Sequence, residues 1–128
     1  ARKHDVRPQL VVSSSAVRAR ETLAGVLPGL GEPEVWTEIA LYGASAEVLL
    51  GRVRALPDEA KEAMLVGHNP GLADLLLLLA EPSDLRDRAE AKFPTGALAT
   101  LEADIASWSE LEPGGAHLVD FVVPRELK

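Results

Sequence analysis

The sequence contains no cysteine among its 128 residues. Disulfide bonds and thiolate metal sites are therefore excluded, and a cytoplasmic location is favoured, because disulfides persist in oxidising compartments. Basic residues are also scarce: 13 Lys and Arg face 20 Asp and Glu, which gives a formal net charge of −7. Nucleic acids and anionic membranes both need a basic surface, so neither is expected as a partner.

A long hydrophobic run is absent as well. The longest apolar stretch, LLLLLA after Asp74, is far shorter than the roughly 20 residues of a transmembrane helix. Hydrophobic residues nevertheless make up 47% of the chain, and we expect one domain over residues 1–128 with a single core. The opening ARKHDVRPQLVV has no initiator Met and resembles the end of a helix already under way. We therefore expect the domain to be incomplete at its N-terminus.

Strands alternate with helices along the predicted chain. Short apolar runs predict strands at residues 9–13, 34–37 and 63–67. Apolar residues at helical spacing predict helices at 16–27, from the Ser45 cap to Leu56, and at 70–80. A charged segment, DLRDRAEA, is predicted to be a further helix, and GALATLEAD and HLVDFVVP to be strands that pair through the turn EPGGA. This alternation predicts an α/β fold of three layers, with a mostly parallel sheet flanked by helices.

The segment LVGHNPG, residues 65–71, places a histidine between a strand and a helix. Asn69 is a preferred N-cap residue and Pro70 suits the first helical position, so His68 is expected just before a helix N-terminus. Such a terminus carries free N–H groups and roughly half a positive charge. In open α/β sheets the ligand crevice lies at the carboxyl ends of the strands. His68 is therefore a candidate anion-binding residue. The alternative is a packed histidine that satisfies a turn carbonyl.

A second junction, LVVSSSAVRAR, has the same design. Ser14 or Ser15 is the expected helix cap, and Arg18 falls in the first helical turn. A cation there opposes the helix dipole at a cost of about 0.3–1 kcal/mol, which an anion held jointly by the helix N–H groups and the guanidinium would offset. The alternative is a solvated surface arginine, which is the interpretation we give to Arg20. Together the two junctions indicate a phosphate pocket at the strand ends.

Other reaction types have less support in the sequence. There is no phosphate-binding G-x-x-x-x-G-K-[ST] loop and no dinucleotide fingerprint. No serine lies in G-x-S-x-G, which disfavours a Ser–His–Asp hydrolase, although the sequence leaves open that Ser14 and His68 meet. The three histidines, His4, His68 and His117, lack metal-ligand spacing, and His117 is expected to pack or to face water. Neither a metal nor a cofactor is expected.

Four segments resemble the histidine phosphatase superfamily, in the order in which that superfamily has them. VVSSSAVRARET resembles its S-x-x-x-R-A-x-x-T segment, and LVGHNPGL resembles its second-histidine segment. LYGASAEVLL and FPTGALATLE resemble the compact SixA-type branch, the phosphohistidine phosphatases. The resemblance runs from about Pro8 to Val123 and implies a phosphoglycerate mutase-like fold.

The resemblance also implies a mechanism with a phosphohistidine enzyme intermediate. The second arginine of the family matches Arg18, which would hold the phosphoryl oxygens, and its second histidine matches His68, which would contact the same group. Ser14 would shape the loop or contact the phosphate. The family's nucleophile belongs to an Arg-His-Gly motif, which is absent from these 128 residues. His4 is no substitute, so the first strand and the nucleophilic histidine are expected upstream of Ala1.

The resulting hypothesis is hydrolysis of phosphohistidine on a partner protein, such as a phosphorelay or phosphotransfer domain. Protonated imidazole has a pKa of about 6.5, so this leaving group needs less proton donation than an alkoxide. Positioning and charge stabilisation are then the main requirements. Glu38 is the nearest candidate acid, and its alternative is a solvated charge at a strand end. Two rival functions remain: a phosphomonoesterase of small phosphate esters, and a domain that binds phosphorylated ligands without catalysis.

Overall fold

The computed structural model of the chain describes residues 8–29, 31, 33–41, 43–93 and 98–122. The α-helices and strands within these ranges are β1 (Leu10–Ser14), α1 (Val17–Val26), β2 (Glu34–Glu38), α2 (Ala46–Arg54), β3 (Ala63–Val66), α3 (Gly71–Leu79), α4 (Asp84–Ala91), β4 (Leu98–Glu102) and β5 (His117–Val122). Each predicted element is confirmed, with ends that differ by a few residues. The expected helix end that contains His4 lies outside the described residues.

Two sheets form the framework. The first has the order β2-β1-β3 with all three strands parallel, and the second is the antiparallel hairpin β4-β5. The prediction of an α/β fold with a parallel sheet is thereby confirmed, as is the direct pairing of the last two strands. None of the helices in the described part of the chain has the length and apolar character needed to cross a membrane.

The central strand β1 is buried on both faces. Leu10 and Val12 pack into the cluster that the leucines of α2 and α3 supply, whereas Val11 packs against Ala19 and Leu23 of α1. Because successive side chains of a strand point to opposite faces, α1 covers one face of the parallel sheet and α2 and α3 cover the other. The predicted three-layer arrangement is confirmed.

The start of α3 differs from the prediction. Asn69 is not the N-cap: that position belongs to Pro70, which makes no side-chain cap hydrogen bond. The Asn69 amide instead donates a hydrogen bond of 3.2 Å to the carbonyl oxygen of Phe93, which a local sequence pattern cannot reveal. Gly71 is required by close packing, since a Cβ there would collide with the backbone carbonyl oxygen of Ala44. The prediction for α2 is confirmed, because Ser45 Oγ accepts a hydrogen bond from the Val48 N–H.

Candidate active site

The carboxyl ends of the three parallel strands meet at one edge of the sheet. In the register of the strands, Ser14 pairs with Glu38, and Ser13 pairs with Val66. His68 follows β3 by two residues, so its position lies at the same edge as Ser14 and Glu38. The fold therefore brings the two strand–helix junctions together, as a parallel arrangement requires.

The most direct link between the junctions is a contact between Ser14 and His68. The Nε2 atom of His68 lies 2.8 Å from Ser14 Oγ, across 54 residues of sequence. Ser14 is fully buried, and its Oγ accepts a hydrogen bond of 3.2 Å from the Ala16 N–H, one residue before α1. Ser14 thus joins the turn before α1 to the imidazole after β3. Its burial favours a role in shaping the site over direct contact with a ligand.

Arg18 lies in the first turn of α1 and its side chain is exposed. That turn contains no acidic residue, and the side chain of Arg18 makes no hydrogen bond or ion pair with any residue that the structure describes. A guanidinium in this position is unfavourable for the helix dipole unless an anion binds there. The arrangement is compatible with both interpretations of Arg18, an anion ligand and a solvated charge.

Sequence reasoning missed Arg52, which grips Glu38 at the end of β2. Arg52 Nε lies 2.6 Å from Glu38 Oε1 and Arg52 Nη2 lies 2.5 Å from Oε2, and the guanidinium stacks 5.6 Å from the ring centroid of Trp36. The hydrogen bonds from Arg52 lower the pKa of the Glu38 carboxyl, although partial burial opposes them. Glu38 is therefore an ionised, paired carboxylate. It is neither a solvated charge nor well suited to donate a proton at neutral pH.

We expect the substitution Glu38→Gln to lower the free energy of unfolding by about 1 kcal/mol at pH 7, because water still screens this partly exposed pair. The folded-state pKa lies below the ordinary value of 4.5, so ionised Glu38 stabilises the fold above pH 4.5 and this contribution is lost as the pH falls further. Urea unfolding of parent and variant between pH 7 and pH 3 should show the difference shrinking below pH 4.5. Glu59→Gln, at an exposed position, is the control. An equal pH-dependent loss of unfolding free energy in both variants contradicts the assignment of this contribution to the Glu38–Arg52 pair.

A cavity of about 410 Å³ lies elsewhere, beside the hairpin β4-β5. Its lining includes Glu81, Glu102, Asp104 and His117, and His117 Nδ1 is 3.3 Å from Glu81 Oε2. His117 is exposed, in agreement with the prediction. Nowhere in the described ranges do three or more His, Asp or Glu side chains group in a way that could hold a metal ion. The cavity contains neither Arg18 nor His68, so it is separate from the candidate site.

Comparison with known proteins agrees with this architecture. No family model matches the chain. The uncharacterized protein Rv1276c of Mycobacterium tuberculosis is 36% identical over 119 residues, which cover 90% of this chain and 73% of that protein. A solved structure from Nakamurella multipartitia, of a protein proposed to be the phosphohistidine phosphatase SixA, superposes with a TM-score of 0.83 at 28% identity, covering 96% of this chain and 74% of the other. A second such structure, from Agrobacterium tumefaciens, has a TM-score of 0.72 at 30% identity, covering 92% and 69%.

The parallel sheet, the helices on both faces and the two junctions at one edge are those of a SixA-like histidine phosphatase fold. Within that class, the chain belongs to the same family as Rv1276c.

Proposed function

We propose that this protein is a phosphatase that hydrolyses phosphohistidine on a partner protein through a phosphohistidine enzyme intermediate. The observation that carries the proposal is the 2.8 Å contact between Ser14 and His68, which joins two helix beginnings at the carboxyl edge of a parallel sheet. Helix beginnings of this kind bind anions. The solved structures that share the fold support a phosphatase activity.

In the proposed mechanism, Arg18 and His68 bind the oxygens of the transferred phosphoryl group. Hydrogen bonds from the guanidinium and from an imidazole N–H stabilise the negative charge on those oxygens in the transition state. Ser14 orients the imidazole of His68 through its hydroxyl group. The nucleophile is proposed to be a histidine upstream of Ala1. Its ring nitrogen bonds to phosphorus while the phosphorus–nitrogen bond of the substrate breaks; water then attacks the phosphoenzyme and releases inorganic phosphate.

The pairing of Glu38 supports the choice of leaving group. A departing imidazole takes up its proton at a pKa of about 6.5, so hydrolysis near neutral pH proceeds without a protonated carboxyl group as general acid. A sugar alkoxide would need such a donor. Because Arg52 keeps Glu38 ionised, the carboxyl group that ends β2 at this edge is poorly suited to that task. This favours phosphohistidine over a phosphate ester as the substrate.

The test measures phosphate release by the gene product expressed from its own start codon. We expect kcat/KM to be at least tenfold higher for a histidine-phosphorylated protein than for sugar phosphates, together with an acid-labile phosphoenzyme that can be trapped by rapid quenching. Faster turnover of sugar phosphates would establish a small-molecule phosphomonoesterase instead. Binding of vanadate without turnover of either substrate would establish a domain that binds phosphorylated ligands and does no catalysis.

A further inference from the structure

Three exposed apolar side chains lie near the ends of β1 and β2. Val17 is 67% exposed, Ile39 79% and Val48 51%. Among the large hydrophobic residues that the structure describes, these three have the highest exposed fractions; the next are Val119 and Val35. Val17 opens α1 three residues after β1, Ile39 follows the last residue of β2, and Val48 is the third residue of α2.

The pairing of the strands places these positions around one edge of the sheet. The Ser15 N–H donates to the carbonyl oxygen of Glu38 at 3.2 Å, so the chain entering α1 runs beside the chain leaving β2. Val48 lies one turn before Arg52 on the same face of α2, and Arg52 is bonded to Glu38. We call Val17, Ile39 and Val48 the apolar rim. It borders the edge that contains the Ser14–His68 contact.

An apolar rim at this position has a physical consequence for the size of the ligand. Single exposed hydrophobic side chains are common on protein surfaces, but here three of them border one candidate site, where a large ligand would bury them. Burying a valine or isoleucine side chain against a partner stabilises an interface, because apolar surface is removed from water. A free phosphate bound at Arg18 and His68 is too small to cover the rim, whereas a macromolecule that carries the phosphoryl group can.

The charge distribution favours a protein as that macromolecule. Arg18 adjoins Val17 and has no ion-pair partner among the described residues, so the site offers a cation next to apolar surface. The complementary surface is an anionic phosphoryl group surrounded by apolar side chains, which a folded protein domain provides. The net charge of −7 disfavours nucleic acid as the occupant.

We propose that the apolar rim is the docking surface for the folded domain that carries the phosphohistidine. The partner presents its phosphorylated imidazole to Arg18 and His68, and apolar side chains around that imidazole pack against Val17, Ile39 and Val48. This inference rests on the proposed function and adds to it the surface by which the enzyme distinguishes a protein substrate from a small one.

The experiment compares two substrates on the same variants. One is a histidine-containing phosphotransfer domain phosphorylated with phosphoramidate. The other is phosphoramidate itself, which also contains a phosphorus–nitrogen bond but has no protein surface that could contact the apolar rim. For the double variant Val17→Ser/Ile39→Ser we expect kcat/KM to fall at least tenfold with the phosphorylated domain and to change less than twofold with phosphoramidate. The single variant Ile39→Ser should show the same difference between the two substrates, with a smaller loss of kcat/KM for the phosphorylated domain. Because Ile39 is highly exposed, its replacement should not disturb folding.

The matched control is Val119→Ser, an exposed valine on β5 outside the rim, for which both substrates should keep their turnover within twofold. Three outcomes would overturn the docking surface but not the proposed function. They are equal losses of kcat/KM with the two substrates, unchanged turnover of the phosphorylated domain in the double variant, and a parent enzyme that prefers phosphoramidate. A parent that hydrolyses neither substrate would overturn the proposed function as well. A parent dimer that becomes monomeric in Ile39→Ser would identify a second copy of the chain as the occupant, and so overturn the assignment to a phosphoprotein.

Discussion

Arg18→Ala should weaken the binding of vanadate or phosphate by roughly 10- to 100-fold and leave the fold intact. A hydrogen bond between a cation and an anion contributes about 1.5–3 kcal/mol, which corresponds to that range of affinity. The side chain is exposed and has no hydrogen-bond or ion-pair partner in the described part of the chain, so its removal costs no polar interaction with those residues. Removing it also relieves the unfavourable interaction with the dipole of α1.

The measurement is calorimetric titration of the chain with vanadate, together with thermal unfolding. Arg20→Ala is the matched control, because Arg20 is an exposed arginine on the same helix, two residues further on and therefore on a different face. Arg20→Ala should bind vanadate with the affinity of the parent, and it controls for the general effect of removing one positive charge. A variant at Arg18 that unfolds while its folded fraction retains oxyanion affinity would show that Arg18 has a structural role.

His68→Ala should lower turnover of a phosphohistidine protein more than tenfold in the gene product expressed from its own start codon, a loss of about 1.4 kcal/mol or more of transition-state stabilisation. The imidazole is proposed to contact the phosphoryl oxygens, and no other described histidine lies at this edge. The substitution also removes the bond to the buried Ser14 hydroxyl, which costs about 1–3 kcal/mol of folding stability.

These two effects are separated by the variant His68→Gln. A glutamine amide can restore a hydrogen bond to Ser14 and with it the stability, but it does not place an imidazole against the phosphoryl oxygens and should not restore turnover. His117→Ala is the matched control, since His117 is exposed and its side chain contacts Glu81 beside the hairpin β4-β5. Turnover that survives in folded His68→Ala would remove this residue from the catalytic site.

Much of the framework was predictable because it depends on neighbours in the chain. The β-branched run in β1 and the leucines of α2 show their periodicity in any short window, and Ser45 caps α2 through a bond that spans three residues. The prediction failed at Asn69 for the corresponding reason: its amide bonds to Phe93, 24 residues away, and a local capping rule does not account for that competitor.

The sequence by itself determined the order of strands and helices, the two strand–helix junctions and the presence of an arginine and a histidine at their starts. Only the tertiary structure decided that Ser14 meets His68, that Arg52 holds Glu38 ionised, and that Val17, Ile39 and Val48 are exposed around one edge. The physical reason is distance along the chain. Periodicity and capping act within one or two turns, whereas the pairing of parallel strands brings together residues whose separation in sequence carries no local signal.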